Sequence, residues 1–116
     1  MSSSPLEGPG LLRHTFRNPD GSWQPVFGLI ESQEQNDPGA FSAVSCAMFS
    51  AAFDALFQLH VIGIAGGQLW HTFRNPNGSW QPVFGLIESQ EQNNPGAFSA
   101  ISCSQQGDQL QVVGIA

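Results

Sequence analysis

The sequence predicts an all-β chain built from four-stranded antiparallel propeller blades, and three observations predict it. First, the chain contains almost the same segment twice. His14–Cys46 reads HTFRNPDGSWQPVFGLIESQEQNDPGAFSAVSC and His71–Cys103 reads HTFRNPNGSWQPVFGLIESQEQNNPGAFSAISC, with 30 of 33 positions identical. A repeat of this length is one supersecondary unit that buries its apolar face against a neighbouring copy. Second, short β-branched and aromatic runs alternate with turn signals, while Gly and Pro recur too often for long helices. Third, the strand runs are not cleanly amphipathic. In WQPVFGLI, Trp80, Phe84 and Leu86 share one parity, whereas Val83 and Ile87 share the other. Both faces of such a sheet must be covered. Four antiparallel strands flanked by copies of themselves make a blade. The period, about 51 residues, lies near the roughly 40–50 of known blades.

The elements follow in order. Residues 1–10, MSSSPLEGPG, have neither a basic n-region nor an apolar h-region and read as a flexible leader. Leu11–Arg17 and Trp23–Ile30 are the third and fourth strands of a half blade spanning 11–30. A full blade spans 41–87: Phe41–Cys46, Leu59–Ala65, Gln68–Arg74 and Trp80–Ile87. Gly66-Gly67 is a hairpin turn between its central strands, and Asn75-Pro76-Asn77-Gly78 is a second turn. Glu88–Ala97 is a polar loop. A second half blade spans 98–116, with strands Phe98–Cys103 and Leu110–Ala116 around a Gly107-Asp108 turn.

The repeats differ at one place. Residues 47–58, AMFSAAFDALFQ, stand where the second copy has SQQGDQ, a six-residue insertion. Its apolar spacing allows one or two helical turns. It reads either as a longer hairpin whose Phe side chains pack on the sheet or as an apolar patch that contacts another subunit. Cys46 and Cys103 are equivalent positions and are expected as small buried apolar groups.

Charge excludes several functions. The chain has three Arg, no Lys and nine carboxylates, for a formal net charge of -6. It cannot build the basic patch that a phosphate backbone or an anionic membrane requires, so no nucleic-acid partner is expected. No run of about 20 apolar residues would span a bilayer, so no membrane insertion is expected. Nor is any metal or cofactor expected, since Cys–His clusters and Gly-rich phosphate loops are absent from the sequence.

Against this background LWHTFRNPNGSWQPVFGLIE, Leu69–Glu88, resembles the repeats of bacterial β-propeller lectins of the Photorhabdus and actinobacterial type. There a similar run is followed by a strand like LQVVGIA. The resemblance covers nearly all of residues 11–116. It implies rings of about seven blades that bind fucose or methylated sugars in grooves between blades. This chain departs from that pattern in having only two blades' worth of strands, and in having Arg13 where the second copy has Trp70.

The residue types suit sugar binding, which needs an apolar platform for the ring and amides, carboxylates or guanidinium groups for its hydroxyls. Candidates are Trp23, Trp80 and Trp70 as platforms, with Arg17, Arg74, His14, His71, Glu31, Glu88, Gln33 and Gln90 as polar contacts. Trp23 and Trp80 read equally as pins that hold a hairpin turn on the sheet. Glu31/Glu34 and Glu88/Glu91 resemble the paired carboxylates of glycosidases, but they lie in a polar loop where solvated side chains are the rule. With no nucleophile–base–acid constellation, the expectation is a non-catalytic lectin. The alternative is a designed or recently amplified propeller fragment whose main property is self-assembly.

Assembly is expected in either case. Two blades cannot close a ring, since propellers have at least about four. The half blades at the two ends are complementary, so the end of one chain can complete the beginning of the next, head to tail. A trimer would give six blades and a tetramer eight, the trimer being favoured.

Overall fold

A computed structural model describes residues 10–49, 57–107 and 109–116. Of the leader, only Gly10 falls within them; the middle of the insertion, 50–56, lies outside the described residues, and with it most of the helical turns expected there. The described chain is all-β, and every pairing is antiparallel. Strands β1 (Arg13–His14) and β2 (Gly28–Leu29) form a two-stranded sheet. Strands β3 (Phe41–Phe49), β4 (Gln58–Ala65), β5 (Gln68–Arg74) and β6 (Gly85–Leu86) form a four-stranded sheet in that order. Strands β7 (Ala100–Gln106) and β8 (Gln109–Ile115) form a hairpin.

The central sheet is covered on both faces, as its sequence requires. Residues 61–65 of β4 are all buried. One face packs Phe41, Val61, Ala65 and Phe84 against Leu12 and Ile30 of the first repeat. The other packs Ile62, Ile64 and Leu69 against Ile87, Phe98 and Ile101. The Gly66-Gly67 turn joins β4 to β5 with φ of +60° and +76°, the conformation of a two-residue hairpin turn that glycine adopts without steric cost. Gly63 is required for a different reason. A Cβ there would lie 2.5 Å from Cδ1 of Phe41, so the Phe41 ring rests directly on the backbone.

Several elements differ from expectation, for physical reasons. Leu11–Arg17 is expected as one strand, yet only Arg13–His14 form a strand, with a single further bridge at Arg17, whereas its equivalent β5 runs for seven residues. The HTFR sequence is common to both; β5 lies between β4 and β6, and β1 has β2 alone. Trp23–Ile30 and Trp80–Ile87 are not continuous strands. Each makes one bridge, Arg17 to Trp23 and Arg74 to Trp80, and re-enters pairing at Gly28–Leu29 and Gly85–Leu86. Pro25 and Pro82 supply no N–H to a ladder, and the Gln24 and Gln81 amides donate to the Val26 and Val83 carbonyls across the break. The Glu88–Ala97 loop begins within a single 3-10 turn, Ile87–Gln90, matched by Ile30–Gln33. In the insertion, Ala47–Phe49 continue β3 as strand, not helix.

The cysteines also differ. Cys46 is exposed and Cys103 only partly covered. Past the β-bulge between Phe41 and Ala43, Val44, Cys46 and Met48 turn away from the covered face of β3. Cys103 is shielded by Ser45, whose Oγ lies 3.1 Å from the Cys103 N–H nitrogen and 3.3 Å from its Sγ.

Candidate functional site between the sheets

The turn after β5 positions Arg74 and Trp80, two of the residues that meet between the sheets. Asn75 N–H donates to the Ser79 carbonyl at 2.7 Å, and Gly78 N–H to the Asn75 carbonyl at 2.9 Å. Asn77 Oδ1 accepts from both the N–H and the hydroxyl of Ser79, the side-chain-to-backbone pattern that favours Asn and Asp in turns. Asp20 does the same for Ser22 in the first repeat. Each turn returns the chain so that a Trp stands across from an Arg, Trp23 from Arg17 and Trp80 from Arg74.

Four side chains then meet between the first sheet and the central sheet. The His14 ring lies edge-on to Trp80 at 5.5 Å and 6.0 Å from Phe16. Above Phe16 lies Arg74, its Cζ 5.5 Å from the ring centroid, a cation–π arrangement. Burial holds the His14 imidazole below its ordinary pKa, and the Arg74 charge adds to this. The result is a neutral imidazole, two aromatic rings and one guanidinium, drawn from both repeats. Such a set offers apolar ring faces and hydrogen-bond donors; it contains no nucleophile paired with a base.

On the opposite face of the central sheet the equivalent residues are arranged differently. His71 and Phe73 share that face with His60, which stacks on His71 at 5.0 Å and on Phe73 at 5.1 Å. The His60 Nδ1 and His71 Nε2 atoms are 2.7 Å apart, and His60 Nε2 is 3.1 Å from Gln58 Oε1. Gln58 donates onward to Asn75 Oδ1 at 3.0 Å, and Asn75 to Ser79 Oγ at 3.2 Å. This orientation makes His60 the Nε2–H tautomer, so His71 donates to His60 and one hydrogen-bonded chain runs from His71 to the turn. Burial, with a smaller effect of His60, pushes the His71 pKa down to about 4.

The remaining candidates lie elsewhere. Both carboxylate oxygens of Glu31 accept from Leu12 N–H, at 3.0 and 2.9 Å, and those of Glu88 from Leu69 N–H, at 3.1 and 3.0 Å. These carboxylates therefore fasten a 3-10 turn to the adjacent strand. Gln33 and Gln90 are exposed and donate to Ser32 and Ser89. Trp70 packs on the cluster of Leu12 and Phe84, and its indole N–H is buried without an acceptor among the described residues. Trp23 is 61% exposed, unlike its partly buried equivalent Trp80. The candidates His14, Arg74 and Trp80 are thus brought together, while Glu31, Glu88, Gln33, Gln90 and Trp70 are not.

Phe16, His60 and Gln58 were missed as site residues. Phe16 carried a signal, since it belongs to the repeated HTFR run one strand position pair from His14. His60 and Gln58 carried none, because their contacts depend on strand register. Among the described residues no three His, Cys, Asp or Glu side chains converge as a metal site would require. No described helix is long and apolar enough to cross a membrane. Comparison with protein-family models, with curated proteins and with solved structures finds no match.

Proposed function

We propose that this chain is a non-catalytic carbohydrate-binding protein, with its sheets acting as β-propeller blades and its ring closed by association of copies. Three chains would give six blades and four would give eight. The ligand class is fucose or a related sugar, taken in the grooves between blades. The observation that carries the reading is the convergence of His14, Phe16, Arg74 and Trp80 between two sheets. An aromatic face suits the C–H side of a sugar ring, and a guanidinium suits its hydroxyls. Each groove alone would bind weakly, with Kd of about 10 µM to 1 mM, and several grooves on one ring would gain by avidity.

A glycan array tests the reading. The unmodified protein should retain fucosylated or methylated glycans. The Trp23→Ala, Trp80→Ala double variant should retain none while keeping its β circular dichroism. A protein that binds no glycan is instead the self-assembling fragment of the second reading, which the exposure of Val26, Phe27, Val113 and Ile115 favours.

A further inference from the structure

Equivalent residues of the two repeats have opposite surroundings. Phe84 is 4% exposed and lies 5.4 Å from the Phe41 ring, whereas its equivalent Phe27 is 66% exposed. In β4, Ile62 and Ile64 are 1% exposed; their equivalents in β8, Val113 and Ile115, are 71% and 65% exposed. The pocket that Phe84 fills is formed by Leu12, Ile30, Phe41 and Val61. The equivalents of those four residues are Leu69, Ile87, Phe98 and Val112. They line an open cavity of about 280 Å³, with Asn93 at its wall. The chain thus carries an exposed knob at one end and the matching hole at the other.

We propose that this cavity is the docking site for Phe27 of a second copy of the chain. The inference rests on the blade reading of the sheets and specifies the contact that joins them. The interface already present within the chain serves as its template. There Asn36 grips the Phe84 backbone, accepting from its N–H at 2.7 Å and donating to its carbonyl at 3.0 Å. Asn93 is the equivalent of Asn36 and grips Phe27 of the incoming copy in the same way. Strand β8 pairs with the incoming β1 in the register of β4 with β5, where Ile62 faces His71; Val113 therefore faces the incoming His14. The Ser45–Cys103 contact is repeated as Ser102 against the incoming Cys46, which covers that exposed thiol. The relation is head to tail: each copy uses its knob on one neighbour and its hole on the other.

Light scattering on a sizing column tests this with two variants, Phe27→Ala and Val112→Trp. The first removes the knob, and the second fills the hole. The unmodified chain should run as a multiple of 12.4 kDa, and each variant alone as a monomer with its β circular dichroism retained. Mixed together, the intact hole of one and the intact knob of the other should yield a heterodimer of about 25 kDa and nothing larger. Asn93→Ala should weaken assembly at least tenfold, and the Cys46 thiol should react with a thiol reagent more slowly in the assembly than in the Phe27→Ala monomer. A monomeric unmodified chain at micromolar concentration overturns the proposal. So does assembly of Phe27→Ala equal to that of the parent, or two folded variants that fail to pair. A heterodimer beside a parent assembly that is neither about 37 nor about 50 kDa supports the docking site and rejects only the six- or eight-bladed ring. Glycan binding enters none of these readouts, so failure of the lectin reading leaves them unchanged.

Discussion

Asn36 holds the backbone of Phe84 from both sides, with its amide oxygen 2.7 Å from the Phe84 nitrogen and its amide nitrogen 3.0 Å from the Phe84 oxygen. The two residues are 48 positions apart. The contact satisfies the backbone of a segment that has left its strand ladder, just where Phe84 enters the buried cluster.

Replacing Asn36 with Ala leaves both Phe84 backbone groups without a partner. The cost of an unsatisfied buried group is about 1–3 kcal/mol. With two such groups, urea denaturation should show a loss of about 2–6 kcal/mol for Asn36→Ala. For Asn93→Ala the same measurement in the Phe27→Ala background should show almost none, since Asn93 is exposed in the single chain. Equal losses would mean that Asn36 acts through its own loop and not through Phe84.

His71 should titrate far below an ordinary histidine. Its pKa is lowered from 6.5 to about 4, first by burial and then by His60. The unfolded chain binds the proton more readily, so the stability contributed by neutral His71 is complete above pH 6.5 and is lost as pH falls towards 4. NMR of the imidazole Cε1–H resonance should place the midpoint near 4. His71→Gln should flatten the acid side of the stability curve. A midpoint near 6.5 would mean that the ring is open to water.

Glu34 acts with the opposite sign. Its carboxylate is buried beside Thr72, and burial raises its pKa above the ordinary 4.5, outweighing the opposing effect of the Thr72 hydroxyl, with a smaller push from the Glu31 charge. A raised folded-state pKa contributes stability below pH 4.5 that is lost as pH rises through the folded value. Glu34→Gln should therefore raise Tm at pH 7 and leave it unchanged well below pH 4.5. A lower Tm at pH 7 would show that the carboxylate is paired after all.

Gly63→Ala should destabilise the fold by about 1–3 kcal/mol, the usual cost of overpacking. The new methyl would overlap Cδ1 and Cε1 of Phe41 at 2.5 and 2.6 Å. The same change at Gly114 meets Phe98 at 2.7 and 2.8 Å, and Phe98 is only half-buried and freer to shift. Thermal unfolding of the two variants should show the larger loss at Gly63.

The sequence by itself determined the all-β class, the duplication, the turns at Gly66-Gly67 and Asn75–Gly78, and the covering of both faces of the central sheet. These follow from residue type and spacing along the chain, because a glycine pair or an Asn-Gly turn acts on its own backbone. Only the tertiary structure decided which copy of a residue is buried. Phe27 and Phe84 sit in identical runs, yet one faces solvent and the other fills a pocket, because burial depends on what lies opposite. Likewise all of HTFR lies in a seven-residue strand beside β4, whereas without such a neighbour only its His14 lies in the two-residue β1. The stacking of His60 on His71 depends on β4–β5 register, a relation between strands that neither strand's sequence contains. Glu31 and Glu88 looked like ligand contacts by type, but backbone N–H groups brought near by the fold engage their carboxylates first.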